Sequence, residues 1–167
     1  MRIELNGTGA YNLDQEEAIG DLLRANGLAE ANSTRAPIGD DCNDAPADDA
    51  ELLGSTITGS GTTVRNFQSL VDSLLWITRC TRPDIAFAVH KVTRQTYAPR
   101  MFDWKLAKRI ARYLKGTACL KITMTPAQEN CQELQLEAFS DADFAGDKVE
   151  RKYITGGVQR LNGMAVS

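Results

Sequence analysis

Three carboxylates, Asp141, Asp143 and Asp147, fall within seven residues of the stretch "FSDADFAGD" (Phe139 to Asp147). Oxygen donors this close could hold a hard divalent cation. One chemistry they would serve is phosphodiester cleavage, in which carboxylates hold two Mg²⁺ ions about 3.5–4 Å apart around the attacking and leaving oxygens. A strand ending in Asp-x-Asp also suits aspartyl phosphotransfer, the first Asp attacking phosphorus. Only twenty-four residues follow Asp143, which counts against that chemistry. An EF-hand fails on ligand positions: Asp141, Asp143, Gly146 and Asp147 match the loop, but Ala145 and Lys152 stand where ligands are required. The bland alternative is an acidic strand-to-turn segment whose aspartates cap or solvate.

A second constellation lies upstream. In "DWKLAKRIARYLKG", Lys105, Lys108, Arg109 and Arg112 recur at helical spacing beside an apolar stripe of Ala107, Ile110, Ala111 and Leu114. A single-sign stripe could neutralise nucleic-acid phosphates and release counterions, or be a solvated cationic face. Trp104 and Tyr113 could stack on bases or belong to the core. The formal charge of −3 is segregated: residues 1–60 hold three Lys/Arg and twelve Asp/Glu, 61–127 hold twelve and three, and 128–167 hold four and seven. A basic centre between acidic flanks points to a polyanionic partner.

Other chemistries find little support. Cys42, Cys80, Cys119 and Cys131 are scattered without a Cys-x-x-Cys pair and His90 is the sole histidine, so a zinc site is not expected. His90 lies in a helical pattern without a serine or cysteine motif, which argues against a triad. With 43% apolar residues among 167, the chain can bury a core. It has no run of about 18 apolar residues and no apolar leader, so neither a membrane partner nor a signal peptide is expected, and an intracellular setting is.

The elements that must position these residues can be read from periodicity. "MRIELNGTGAYNL" predicts a hairpin about Asn6-Gly7. "DQEEAIGDLLRANG" predicts a helix capped by Asp14 and stopped by Gly27. Residues 29–63 lack periodicity and read as an acidic linker. Three helices follow: one after Asn66 with Phe67, Leu70, Val71, Leu74 and Leu75 on one face; one opened by Thr81 and Pro83 with Ile85, Ala88, Val89 and Val92; and the basic helix, capped by Asp103 and ended by Gly116. The period then becomes two, with Leu120, Ile122 and Met124, then Leu134, Leu136 and Ala138, then one or two short strands around Gly156-Gly157 and Asn162-Gly163. The expected fold class is α+β.

Taken in order and spacing, "FQSLVDSLLWITRCTRPDIAFAVHKVTR", "DWKLAKRIARYLKGT", "LEAFSDADFAGD" and "RKYITGGVQRLNGMAVS" closely resemble the C-terminal part of copia-type retrotransposon Pol polyproteins, as "LDQEEAIGDLLRANGLAEANSTRAPIGDD" resembles the part just upstream. The resemblance covers nearly the whole chain. It implies that residues 1–28 end a reverse transcriptase palm-like region, 29–63 are an acidic linker, 64–126 a thumb- or connection-like helical segment, and 127–167 the opening strands of a truncated RNase H-like antiparallel sheet. It also implies that Asp141 is the first Mg²⁺ carboxylate of an RNase H site, Asp143 being the second choice for that place, so that at most one ligand of the full site remains, and that the ancestral partner is an RNA–DNA hybrid. Tyr-x-Asp-Asp, the polymerase metal motif, is absent, and the later RNase H carboxylates would fall beyond Ser167. Asp72 replaces a usual glycine and Tyr153 a usual small hydroxyl residue. The expectation is therefore a fragment or relic, inactive alone and binding no Mg²⁺ by itself. The alternative is a non-catalytic nucleic-acid-binding module. An unfinished sheet also leaves an unpaired edge through which copies could associate.

Overall fold

The computed structural model describes residues 1–39, 50–54, 62–125, 134–143 and 154–165. The chain is α+β and divides into two compact units, Met1–Glu4 with Asn12–Ile122, and Leu5–Tyr11 with Thr123–Ser167. Strands β1 (Arg2–Leu5), β2 (Tyr11–Asp14) and β3 (Ile122–Met124) form one three-stranded sheet in that order. The predicted tight Asn6-Gly7 turn is instead a longer loop. The Asn6 carboxamide oxygen accepts the N–H groups of Thr8 and Ala10 at 3.0 and 2.9 Å, and Gly9, not Gly7, takes the positive φ of 80°. An asparagine side chain that captures amides ahead of it builds its own turn, and that lengthens the connection.

The first helix, α1 (Glu16–Ala25), starts one residue later than its sequence suggests, with Gln15 at the N-cap; the Asp14 carboxylate still accepts the Glu16 N–H at 3.3 Å. Its end follows the expected glycine stop. Gly27 has φ 65°, its N–H donates to the Arg24 carbonyl, and the Leu28 N–H donates to the Leu23 carbonyl at 2.8 Å. This is a Schellman motif, completed by Leu23 and Leu28 joining the core.

Helix α2 (Val64–Cys80) begins ahead of Asn66, because the Thr63 hydroxyl accepts the Asn66 N–H at 3.2 Å and so makes threonine the cap. A 3₁₀ turn, Pro83–Ile85, leads into α3 (Ala86–Thr93). Helix α4 (Met101–Gly116) also begins early: Asp103 is not its cap but its third residue, whose carboxylate reaches back to the Arg100 N–H at 2.8 Å. Burial pushes the Asp103 carboxyl above the ordinary value, although that hydrogen bond and the Arg100 and Lys91 charges pull the other way.

The core lies in the helical unit. Ile19, Leu22 and Leu23 of α1, Phe67, Leu70, Val71, Leu74 and Ile77 of α2, Ile85, Ala88, Val89 and Val92 around α3, and Leu106, Ala107, Ile110, Ala111 and Leu114 of α4 form one buried cluster. Each set recurs at three- and four-residue steps, so each helix turns one stripe inward. Leu75, predicted in the α2 stripe, sits at its margin and is partly buried.

Residues 29–38, read from composition as part of a linker, lie along α4. The Thr34 N–H donates to the Arg112 carbonyl, the Thr34 hydroxyl to the Arg109 carbonyl, and the Lys115 ammonium to the carbonyls of Ala29 and Ala31. Farther on, the Leu53 N–H donates to the Pro99 carbonyl and the Met101 N–H to the Glu51 carbonyl, at 2.8 and 2.9 Å. Gly116 permits the close approach, since a Cβ there would lie 2.9 Å from the Ser33 Cβ. Alanine ordinarily stabilises a helix over glycine by up to about 1 kcal/mol, but crowding of this kind costs about 1–3 kcal/mol. Gly116→Ala should therefore lower stability by about 1 kcal/mol; a higher urea midpoint in the variant would refute the close packing.

In the second unit, β4 (Leu136–Asp143) pairs antiparallel with β5 (Ile154–Leu161), which pairs with β6 (Met164–Ala165). Asn162 and Gly163, at φ 51° and 79°, form the two-residue turn between β5 and β6. Positive φ at both positions is the geometry that matches strand twist, and Asn-Gly is the pair that tolerates it. The apolar alternation read in β4 is present, yet Leu134, Leu136 and Phe139 are exposed among the described residues.

Candidate functional site

Asp141 stands on β4 with its side chain exposed, opposite Gly156 of β5. Glycine leaves open space beside the carboxylate. Asp143 follows at the next position of the same strand alternation, its backbone opposite that of Ile154. Along a strand the two Cα atoms are about 6.6–6.8 Å apart. The nearest acid on that alternation in the other direction is Glu137, which is twice as far along the strand and pairs with Arg160. Arg160 itself lies over the Phe139 ring, 5.5 Å from its centre. Asp147 lies outside the described residues, as do Cys42, Cys131 and Tyr153. Among the described residues no group of three or more His, Cys, Asp or Glu side chains could hold a metal. By donor type, Asp141 fits a hard cation such as Mg²⁺, but one exposed carboxylate with a strand neighbour is far short of an octahedral oxygen set.

The basic stripe is not one uniform face. Lys105 is exposed; Lys108 is half-buried, its ammonium 5.6 Å from the centre of the Trp104 ring. Arg109 donates from Nε to the Ala36 carbonyl at 3.4 Å. Arg112 is half-buried, and its Nε is enclosed without a hydrogen-bond partner among the described residues. The stripe thus grades from solvent at Lys105 to the covering segment at Arg109 and Arg112. Trp104 and Tyr113 pack against the core cluster.

Sequence reasoning passed over a heavily bonded polar group of the helical unit, Arg82, which is 1% exposed. Its Nε and Nη2 donate to the two Asp84 carboxylate oxygens at 2.9 and 2.8 Å, and Nη1 donates to the Thr117 carbonyl at 2.9 Å. Nη2 also donates to the Thr117 hydroxyl at 2.6 Å, and the Tyr113 hydroxyl donates to Asp84 at 3.0 Å. Burial pushes the Asp84 carboxyl up, but the hydrogen bonds and charge of Arg82 and the bond from Tyr113 outweigh it and hold it below the ordinary value. Tyr113 is pushed up, first by burial and then by Asp84. The signal was the spacing "TRPD", with an acid two residues after an arginine across a proline-opened turn. A smaller cluster joins the strands. Arg2 donates to buried Asp14 at 3.0 Å, and Lys121 lies 3.5 Å from the same oxygen. Burial raises the Asp14 carboxyl, and these cations with the Glu16 amide more than reverse the effect.

Known proteins supply what geometry alone does not. The chain is 39% identical over 103 residues to the retrovirus-related Pol polyprotein of transposon TNT 1-94 from Nicotiana tabacum, covering 60% of this chain. It is 33% identical over 141 residues, 84% of this chain, to the Pol polyprotein of transposon RE1 from Arabidopsis thaliana. The chain is thus similar in sequence to a stretch of the retrotransposon Pol polyproteins. That agrees with the copia-type resemblance carried by its motifs. An uncharacterized mitochondrial protein of Arabidopsis thaliana, AtMg00810, is 34% identical over 106 residues, 64% of this chain. The chain spans only 7% and 9% of the two polyproteins and 42% of the mitochondrial protein. No family model and no solved structure matches it. Among the described residues, no helix is long and apolar enough to cross a membrane.

Proposed function

We propose that the chain is a fragment or relic of a copia-type reverse transcriptase/RNase H polyprotein, ancestrally engaged in RNA-templated DNA synthesis and cleavage of RNA–DNA hybrids. In this reading residues 1–28 derive from the end of the palm, 64–126 from the thumb and connection, and 127–167 from the opening strands of RNase H. The observation that carries it is the placement of "Ser-Asp-Ala-Asp" on β4, in an antiparallel pair with β5 that puts a glycine opposite Asp141. Asp141 would be the first Mg²⁺ carboxylate, with Asp143 the second choice for that place, in a site that these strand positions do not complete. Mg²⁺, when held by a full site of this kind, positions and polarises the phosphodiester. Here the chain's own contribution is Asp141 as an open oxygen donor.

The alternative, a non-catalytic nucleic-acid-binding module, draws support from the N-terminal half of the α4 stripe, where Lys105 is exposed and Lys108 is half-buried. One experiment addresses both readings: a labelled RNA–DNA hybrid is titrated with the chain at several salt concentrations and then incubated with Mg²⁺. The expected result is no turnover, together with binding whose salt slope falls by about two in a Lys105→Glu/Lys108→Glu variant. Those two positions are chosen because Arg112 is too enclosed to change without disturbing α4. Turnover abolished by Asp141→Asn would overturn the inactive reading. A double variant that binds like the parent at low salt would mean that the cationic face is only solvated.

A further inference from the structure

We propose that Tyr97, at the connection between α3 and α4, is a stacking platform for an unpaired base of a single-stranded nucleic acid. The inference rests on the nucleic-acid-binding reading above and names the strand type and the residue that it would use. Tyr97 is 98% exposed, the most exposed large apolar or aromatic side chain among the described residues. Aromatic rings ordinarily bury most of their area, so a ring left wholly in water on a fixed backbone is an unusual arrangement.

The backbone here is fixed. The Gln95 N–H donates to the Val92 carbonyl and the Thr96 N–H to the Thr93 carbonyl, at 3.2 and 3.3 Å. The Thr96 carbonyl accepts the Gln68 side-chain N–H at 3.0 Å, which ties the connection to α2. Pro99 is buried, and its carbonyl is taken by the Leu53 N–H. The ring is therefore presented by a braced turn.

Its surroundings choose the partner. From Lys91 to Arg112 inclusive there are seven lysines and arginines and one acid, Asp103. That acid is buried. Arg94 and Arg100, three residues to either side of Tyr97, are exposed. Cations flanking an exposed ring match a strand that offers alternating phosphates and π-faces, and this combination is how sequence-tolerant single-strand sites are built. A duplex keeps its bases stacked on one another and leaves nothing for a lone ring to accept.

The test uses the full chain with fluorescein-labelled oligothymidylate and a blunt RNA–DNA duplex of equal length. Tyr97→Ala should weaken oligothymidylate binding about tenfold, Tyr97→Phe should restore it, and duplex binding should be unchanged. The salt slope should stay that of the parent, because no charge is removed. If the parent binds oligothymidylate and Tyr97→Ala binds equally well, the stacking role falls while the basic face stands. If the parent binds neither probe at low salt, both readings fall together. Equal weakening on the two probes would also sink the proposal, since it would mark Tyr97 as a structural residue.

Discussion

Asp84→Ala is expected to cost about 3 kcal/mol of folding stability, because it leaves the buried Arg82 guanidinium without its counter-ion. Breaking a buried pair costs about 3–5 kcal/mol in general, and the lower end applies here: Asp84 is 35% exposed, so water already screens part of the attraction. Removing the other partner should cost less. Arg82→Met takes the cation away altogether and returns Asp84 to water and to the Tyr113 hydroxyl. The ordering of the two variants, read from urea midpoints, therefore tests the burial asymmetry directly. If Arg82→Met proved the more damaging, packing rather than charge would be the role of the side chain.

The same pair sets a pH dependence. Asp84 is held below its ordinary value in the folded chain. Its contribution is thus complete above the unfolded value of about 3.9 and is lost as pH falls through the folded one. Asp14 has the same sign. Asp103, pushed up, has the opposite sign: folding favours its protonated form, and that contribution disappears as pH rises through the raised value. Asp84→Ala should flatten the loss of stability on the acid side. An unchanged acid limb would show that the pair does not report through Asp84.

Leu114→Ala and Leu136→Ala make the second large contrast, since the same atoms are removed from two different surroundings. Leu114 is 0% exposed in the middle of the helical core, and its truncation should cost about 3–4 kcal/mol through lost transfer energy and a cavity. Leu136 is 69% exposed on β4, and its truncation should change stability by no more than about 0.5 kcal/mol. A small effect at Leu114 would refute the core. A cost above about 2 kcal/mol at Leu136, growing with protein concentration, would mean that β4 is covered in solution by a second copy joined through its edge. Size-exclusion chromatography of the parent over the same concentrations would then show the larger species.

The helices were legible because their cores are dense and periodic: all four apolar residues predicted around α3 and all four in the α4 stripe are buried. Starts were less so. Two helices begin early because Thr63 and Arg100, not Asn66 and Asp103, occupy the cap, and a backbone amide takes whichever acceptor the local φ and ψ bring within reach. The packing of residues 29–38 on α4 could not be read at all, because it is made mostly by backbone carbonyls, which carry no sequence signature. At the candidate site, the strand and the alternation that joins Asp141 to Asp143 were readable. The grading of the basic stripe was not, since helical spacing says which residues share a face but not what another segment lays over it.

The Arg82 cluster also has a meaning in the vocabulary of cross-links. By joining residue 82 to residue 117, it closes a loop across a separation of 35 residues. A disulfide closing such a loop acts largely by restricting the unfolded chain; a hydrogen-bonded clamp instead stabilises only the folded chain and imposes nothing on the unfolded one. Cys80 and Cys119, each two residues outside the clamp, are both free thiols. The fold is thus fastened at that point without recourse to sulfur, and the fastening holds in a reducing environment; acid acts only on the neighbouring Arg82–Asp84 pair.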